Sequence, residues 1–177
     1  NEREFEAVQA NPFNHTKSFK SLIADDRDYM RILLRIDDSV IKALFAEEAI
    51  VVEGDTEEIV LSETISRLPK DEQIIFLNNK AIINARGKAT IIPLSRYLKA
   101  MGIKFKVMHD SDKDKNGAEA INNVIASLGL DTNLIVLENC IEDVLGYTAP
   151  ERDKPFTAFK HIRQAWPPGF DKLPSSW

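Results

Sequence analysis

Acidic residues stand in this 177-residue chain where apolar runs stop. The run AIVVEG ends at Glu53, KFKVMHDSD at Asp110 and Asp112, and NLIVLEN at Glu138. Glu57 lies four residues after Glu53, and Glu142 just past the last of these runs. Each acid taken alone reads equally well as a solvated loop residue. Gathered in one place they repel one another unless protonated or neutralised. Hard divalent cations neutralise such oxygen-rich sets well. The residue types therefore point to Mg²⁺ or Mn²⁺, with room for two ions about 4 Å apart.

A second reading uses overlapping residues. DKDKNG puts Asp112, Asp114, Asn116 and Gly117 at positions 1, 3, 5 and 6 of an EF-hand calcium loop. That loop needs a helix before it, and KFKVMH reads as a strand. It needs Glu at position 12, where Asn123 stands, and an apolar position 8, where Glu119 stands. Starting at Asp110 puts Lys115 in the glycine position and Ile121 in the Glu position. Asn116 and Gly117 read instead as turn and cap chemistry for the next helix, and Asp114 as a cap or supporting group.

The acids can converge only if the elements carry them to one edge. Residues 29–47 have apolar positions at helical spacing: Ile32, Leu33, Ile36, Val40, Ile41, Leu44 and Phe45. Strands are predicted at 49–54, 73–79 (QIIFLNN), 104–110 and 133–139. Helices are predicted at 56–68 with Thr56 as cap, 88–102 with Pro93 in or near the first turn, 117–129, 141–147 and 156–166. Strand–helix alternation means βαβ units, a parallel sheet and helices on both faces. Such sheets bind ligands beyond the carboxyl ends of their strands, at the topological switch point. If the first and third strands are neighbours, Glu53 and Asp110 meet there. Alternation along the third strand turns His109 away from Asp110, which makes it a buried or supporting histidine.

Composition narrows the class. The apolar fraction of 44% suffices for a core, and the net charge of −5 rules out a generally basic surface. The single cysteine, Cys140, allows neither an internal disulfide nor a Cys-rich zinc site, which fits a reducing, cytoplasmic setting. There is no apolar run of membrane-spanning length and no signal-peptide pattern, so no membrane partner is expected. The chain starts without Met, so it is expected to be a fragment of a longer protein.

An apolar strand ending VEGDTEE, a strand ending DSD and the βα repeats around them resemble a Toprim domain. The closer resemblance is to the OLD (overcoming lysogenization defect) family of nucleases, which carry an ATPase domain before a C-terminal Toprim domain. LLRIDDSVIKALFAEEAIVVEGDTEE, NARGKATIIPLSRYLKAMGIKFKVMHDSD, ENCIEDVL and DKPFTAFKHIRQA carry it, over roughly residues 30–165. The resemblance implies a Rossmann-like, four-stranded parallel α/β fold. It divides the chain into an N-terminal, partly helical extension at 1–48 (the end of the ATPase part and linker), a Toprim catalytic domain at 49–166 and a tail at 167–177. It implies two-metal hydrolysis of DNA phosphodiesters, with Glu53, Glu57, Asp110, Asp112 and Glu142 as metal ligands. Glu53 also serves catalysis, and Lys154 offsets transition-state charge, with Lys160 as the fallback lysine. Family members often carry a small hydroxyl residue near Cys140, and the cysteine departs from that pattern.

The resemblance further implies DNA as substrate, with a role in phage defence or DNA repair. It also implies the preceding ATPase domain, a helicase and further copies of the protein as partners. No GxxxxGK[ST] loop is present, so ATP is expected to act only through the absent domain. Residues 80–106 hold seven Lys or Arg and no acid. They read as a solvated helix face or as phosphate contacts, with Lys80, Arg86 and Lys88 as the DNA-binding candidates and Gly87 permitting close approach. Two alternatives stay open: a primase- or topoisomerase-type Toprim, and a non-catalytic cation-binding module. The first lacks a supporting tyrosine motif around Tyr29, Tyr97 or Tyr147, and one cysteine cannot supply a primase zinc module.

Overall fold

The computed structural model describes residues 38–166 apart from 114 and 131–132. The expectations for residues 1–37 and 167–177, for Tyr29 and for Asp114 fall outside the described residues. The described elements are α1 (Asp38–Ala43), β1 (Glu48–Val52), α2 (Asp55–Arg67), α3 (Lys70–Asn79), β2 (Lys80–Asn84), α4 (Lys88–Ala100), β3 (Phe105–Asp110), α5 (Ala118–Ala126), β4 (Leu134–Leu137), α6 (Ile141–Val144) and α7 (Lys154–Ala165). The four strands form one parallel sheet in the order β2-β1-β3-β4. Chain order reverses between β1 and β3, so the switch point lies there.

Alternation along the strands builds two cores. Ala49, Val51, Ala81, Ile83, Phe105 and Val107 face α1, α4 and α5 through Val40, Ile91, Leu94, Leu98 and Ile125. The opposite register carries Val52, Met108, Asp110 and its β4 partner Leu137. Leu137 packs with the second cluster: Val60 of α2, Ile141 of α6, Leu145, and Ala158 and Ile162 of α7. Each fully buried Val, Ile or Leu contributes about 1.5–3 kcal/mol. Asp110 therefore points to the side that carries α2, α6 and α7.

The α/β architecture is the expected one, with one element displaced. QIIFLNN is helix α3, and the second strand is the following KAIIN. Pro69 precedes the helix, and Asp71 and Glu72 in its first turn complement the helix dipole. The sheet slot beside Glu48–Val52 is filled by Lys80–Asn84, whose Ala81 and Ile83 face the core. Ile74, Ile75 and Leu77 of α3 stay exposed. Two smaller expectations are also corrected. Gly54, not Thr56, caps α2, and its N–H donates to Glu57 Oε2 at 3.0 Å. Pro93 sits inside α4, past its first turn.

Candidate metal centre at the carboxyl edge of the sheet

Pairing of Val52 with Met108 brings the residues after β1 beside the end of β3. There the Asp110 N–H donates to Glu53 Oε2 at 3.3 Å. Glu57 follows one turn into α2 and is 6% exposed. Glu142, in the first turn of α6, is 2% exposed. Asp112 lies past β3 with φ +50°, a left-handed conformation that Asp tolerates better than most residues. Strand ends and helix starts thus carry Glu53, Glu57, Asp110, Asp112 and Glu142 to one edge. Glu138, beyond β4, is exposed.

The electrostatics record that crowding. Burial, then the charges of Glu57, Glu53, Asp112 and Glu142, push the Asp110 carboxyl from 3.8 up to about 7. Burial likewise raises Glu53 and Glu57. At Asp112 burial is outweighed by hydrogen bonds from Lys115 and Lys88, and the carboxyl is held below its ordinary value. Asp110 Oδ1 and Glu142 Oε1 are buried without a hydrogen-bond partner. Buried carboxylate oxygens without hydrogen-bond partners at a crowded, self-repelling site are what a hard divalent cation satisfies, so the donor set fits such an ion. Among the described residues no three His, Cys, Asp or Glu side chains are already drawn together as a metal cage. Like charges without an ion hold apart, and a lysine occupies part of the space.

That lysine is Lys88. It was expected to face DNA, but it opens α4 with 8% exposure, and its ammonium donates to Asp112 Oδ2 at 2.6 Å. Its placement beside the acids was not read from the sequence, because NARGK gives no sign of which way the helix start turns. Lys115 was also missed. It donates to Asp112 Oδ1 at 2.7 Å, and its three-residue spacing from Asp112 was the available signal. Lys80 is displaced from expectation too. It starts β2, at the amino edge of the sheet, and pairs with Glu48 there. Of the three DNA candidates, Arg86 alone is exposed on the carboxyl edge. It follows Asn84, whose Oδ1 accepts from the Arg86 N–H at 2.7 Å.

Lys154 is the first residue of α7, with its Nζ 3.9 Å from Glu142 Oε1. The fallback Lys160 lies over the Phe156 ring at 5.7 Å. His109 is fully buried, with its ring Nδ1 2.7 Å from the Asp110 carbonyl oxygen. Burial raises the Cys140 thiol pKa, and the neighbouring Glu142 adds to the shift.

No curated protein matches the chain. No helix among the described residues is long and apolar enough to cross a membrane. Residues 44–112 match the family model "Overcoming lysogenization defect protein-like, TOPRIM domain". The matched span runs from before β1 through Asp112 and so contains Glu53, Glu57, Asp110 and Asp112, while Glu142 and Lys154 lie beyond it. Residues 44–112, which hold β1 to β3 and the acids at the switch point, are thus similar to an OLD-like Toprim domain, and the parallel α/β sheet is consistent with that fold.

Proposed function

We propose that the domain is a divalent-metal-dependent nuclease that hydrolyses DNA phosphodiester bonds. The observation that carries this reading is the meeting of Glu53 and Asp110 at the switch point, with buried oxygens of Asp110 and Glu142 lacking hydrogen-bond partners. Glu53, Glu57, Asp110, Asp112 and Glu142 would hold Mg²⁺ or Mn²⁺, as two ions. The chemistry supplied at such a centre is a water activated near neutral pH and a polarised phosphoryl oxygen. The chain's own groups do the rest. Strand ends fix Glu53 and Asp110 with little freedom, which favours a defined geometry. The Lys154 ammonium beside Glu142 offsets negative charge that builds on a transferring phosphoryl group. Arg86, on the exposed rim, contacts a neighbouring phosphate and positions the strand without reading its sequence.

Nicking of supercoiled plasmid tests this. Cleavage is expected with Mg²⁺ or Mn²⁺ and not with chelator. Asp110→Asn and Glu53→Gln should each lower the rate at least about a hundredfold, the scale at which loss of one electrostatic stabiliser is felt. Divalent-ion binding with no cleavage at protein excess, with the ATPase part present, would overturn the nuclease reading in favour of a cation-binding module.

A further inference from the structure

Lys88 reaches the acids from the opposite side of the sheet. It begins α4, which packs against the face that α2, α6 and α7 do not cover. Its ammonium donates to the Asp110 carbonyl oxygen at 2.5 Å and to Asp112 Oδ2 at 2.6 Å, and it stands 3.8 Å from Glu53 Oε2. A carbonyl and two carboxylates are the oxygen donors a hard cation takes. The other oxygen of Asp112 is held by Lys115, whose side chain is 75% exposed. Both oxygens of Asp112 are therefore occupied by lysines, while Asp110 Oδ1 and Glu142 Oε1 in the same centre have no hydrogen-bond partner.

A buried Lys–Asp pair has an ordinary use, which is to fix a turn, and the left-handed Asp112 is such a turn. Two features go further. The oxygens around the ammonium belong to residues assigned above as ion ligands. The neutralisation by Lys88 is also one-sided, since it serves Asp112 and Glu53, while Asp110 Oδ1 has no hydrogen-bond partner and Glu142 has only the more distant Lys154 ammonium at 3.9 Å. An ion entering between Asp112 and Glu53 would meet a positive charge already bonded to one of its oxygens.

We propose that Lys88 is a built-in counter-cation of this centre. In the metal-free protein its ammonium stands in for a divalent ion between Asp112 and Glu53, and ion loading at that half displaces it. Lys88 is then a positioning residue that acts through Asp112 and Glu53. It keeps the metal-free edge folded and sets how readily the second ion enters. The proposal rests on the metal-centre reading above.

The test uses the whole chain, with Mn²⁺ and the non-catalytic probe Ca²⁺. Calorimetric titration compares wild type, Lys88→Met and Lys88→Arg, and melting in chelator is measured alongside. Lys88→Met should melt lower in chelator and bind Mn²⁺ about tenfold tighter, the low end of what a charge within a few ångströms does to a neighbouring equilibrium. Lys88→Arg should restore wild-type melting in chelator. Wild type alone supplies a second readout. Acylation of the Lys88 amine, followed by peptide mass spectrometry, should be slow in chelator and faster once Mn²⁺ is added. If Lys88→Met does not fold, the acylation result decides alone. Wild type that binds Mn²⁺ while Lys88→Met binds no tighter, or while Lys88 acylation is unchanged, overturns the Lys88 proposal only. Wild type that binds neither ion overturns the metal centre and this proposal together.

Discussion

Asp110 concentrates the cost of the site. Its carboxyl titrates in the folded chain at about 7 instead of 3.8, because it is buried and faces four other acids. Folding thus favours its protonated form. That contribution to stability is complete below the ordinary carboxylate pKa and is lost as pH rises through about 7. Glu53 and Glu57 shift in the same direction, mainly by burial. Asp112 shifts the opposite way, so its contribution is lost only in stronger acid. Metal-free protein should therefore melt higher at about pH 5 than at about pH 8. Asp110→Asn should flatten much of that slope, and Mn²⁺ should remove it. A melting temperature that is level across this range in chelator would contradict the assignment. A second expectation at this scale separates the two lysines. Lys154→Ala should slow plasmid nicking at least about tenfold, since its ammonium faces Glu142. Lys160→Ala should leave the rate unchanged, since Lys160 lies over Phe156.

Among the elements, the pairing of α2 with α7 matters most to the centre. Val60 packs with Ala158 and Ile162, all fully buried, and the Arg67 guanidinium donates to the Trp166 carbonyl oxygen at 2.7 Å. This contact sets Glu57 and Lys154 on the same side of the sheet. Ile162→Ala should cost about 2–5 kcal/mol in denaturant unfolding, the range for a buried large-to-small change. It should also slow nicking through Lys154, with Glu53 and Asp110 untouched. Helix α3 makes the opposite case. Ile75 is 61% exposed, so Ile75→Glu should change stability by no more than about 0.5 kcal/mol. A large loss there would mean that residues 73–79 are a buried strand after all.

For the whole molecule, the net charge of −5 means that the proposed DNA binding would rest on local rather than global field. Binding in Ca²⁺, without cleavage, should weaken steeply as salt rises, through counterion release. Arg86→Ala should weaken it evenly across sequences and reduce the slope of log K against log salt by about one. Lys80→Ala should leave both unchanged, because Lys80 pairs with Glu48 at the far edge of the sheet.

The sequence by itself determined the class of fold and the set of acids. Apolar runs of strand length alternate with helical patterns, and that periodicity requires a parallel sheet whatever the side-chain detail. Acids placed where those runs end must lie at its carboxyl edge, because parallel strands all end on the same side. Tertiary structure decided the rest. IIF and AII are nearly equivalent as local signals, and only pairing beside β1 chose Lys80–Asn84 as the strand. The lysines were the least legible group. A basic residue at a helix start reads the same whether it turns toward solvent or inward. Lys88 turns inward because α4 begins over the switch point, where Asp112 and Glu53 leave a negative space that an ammonium can fill.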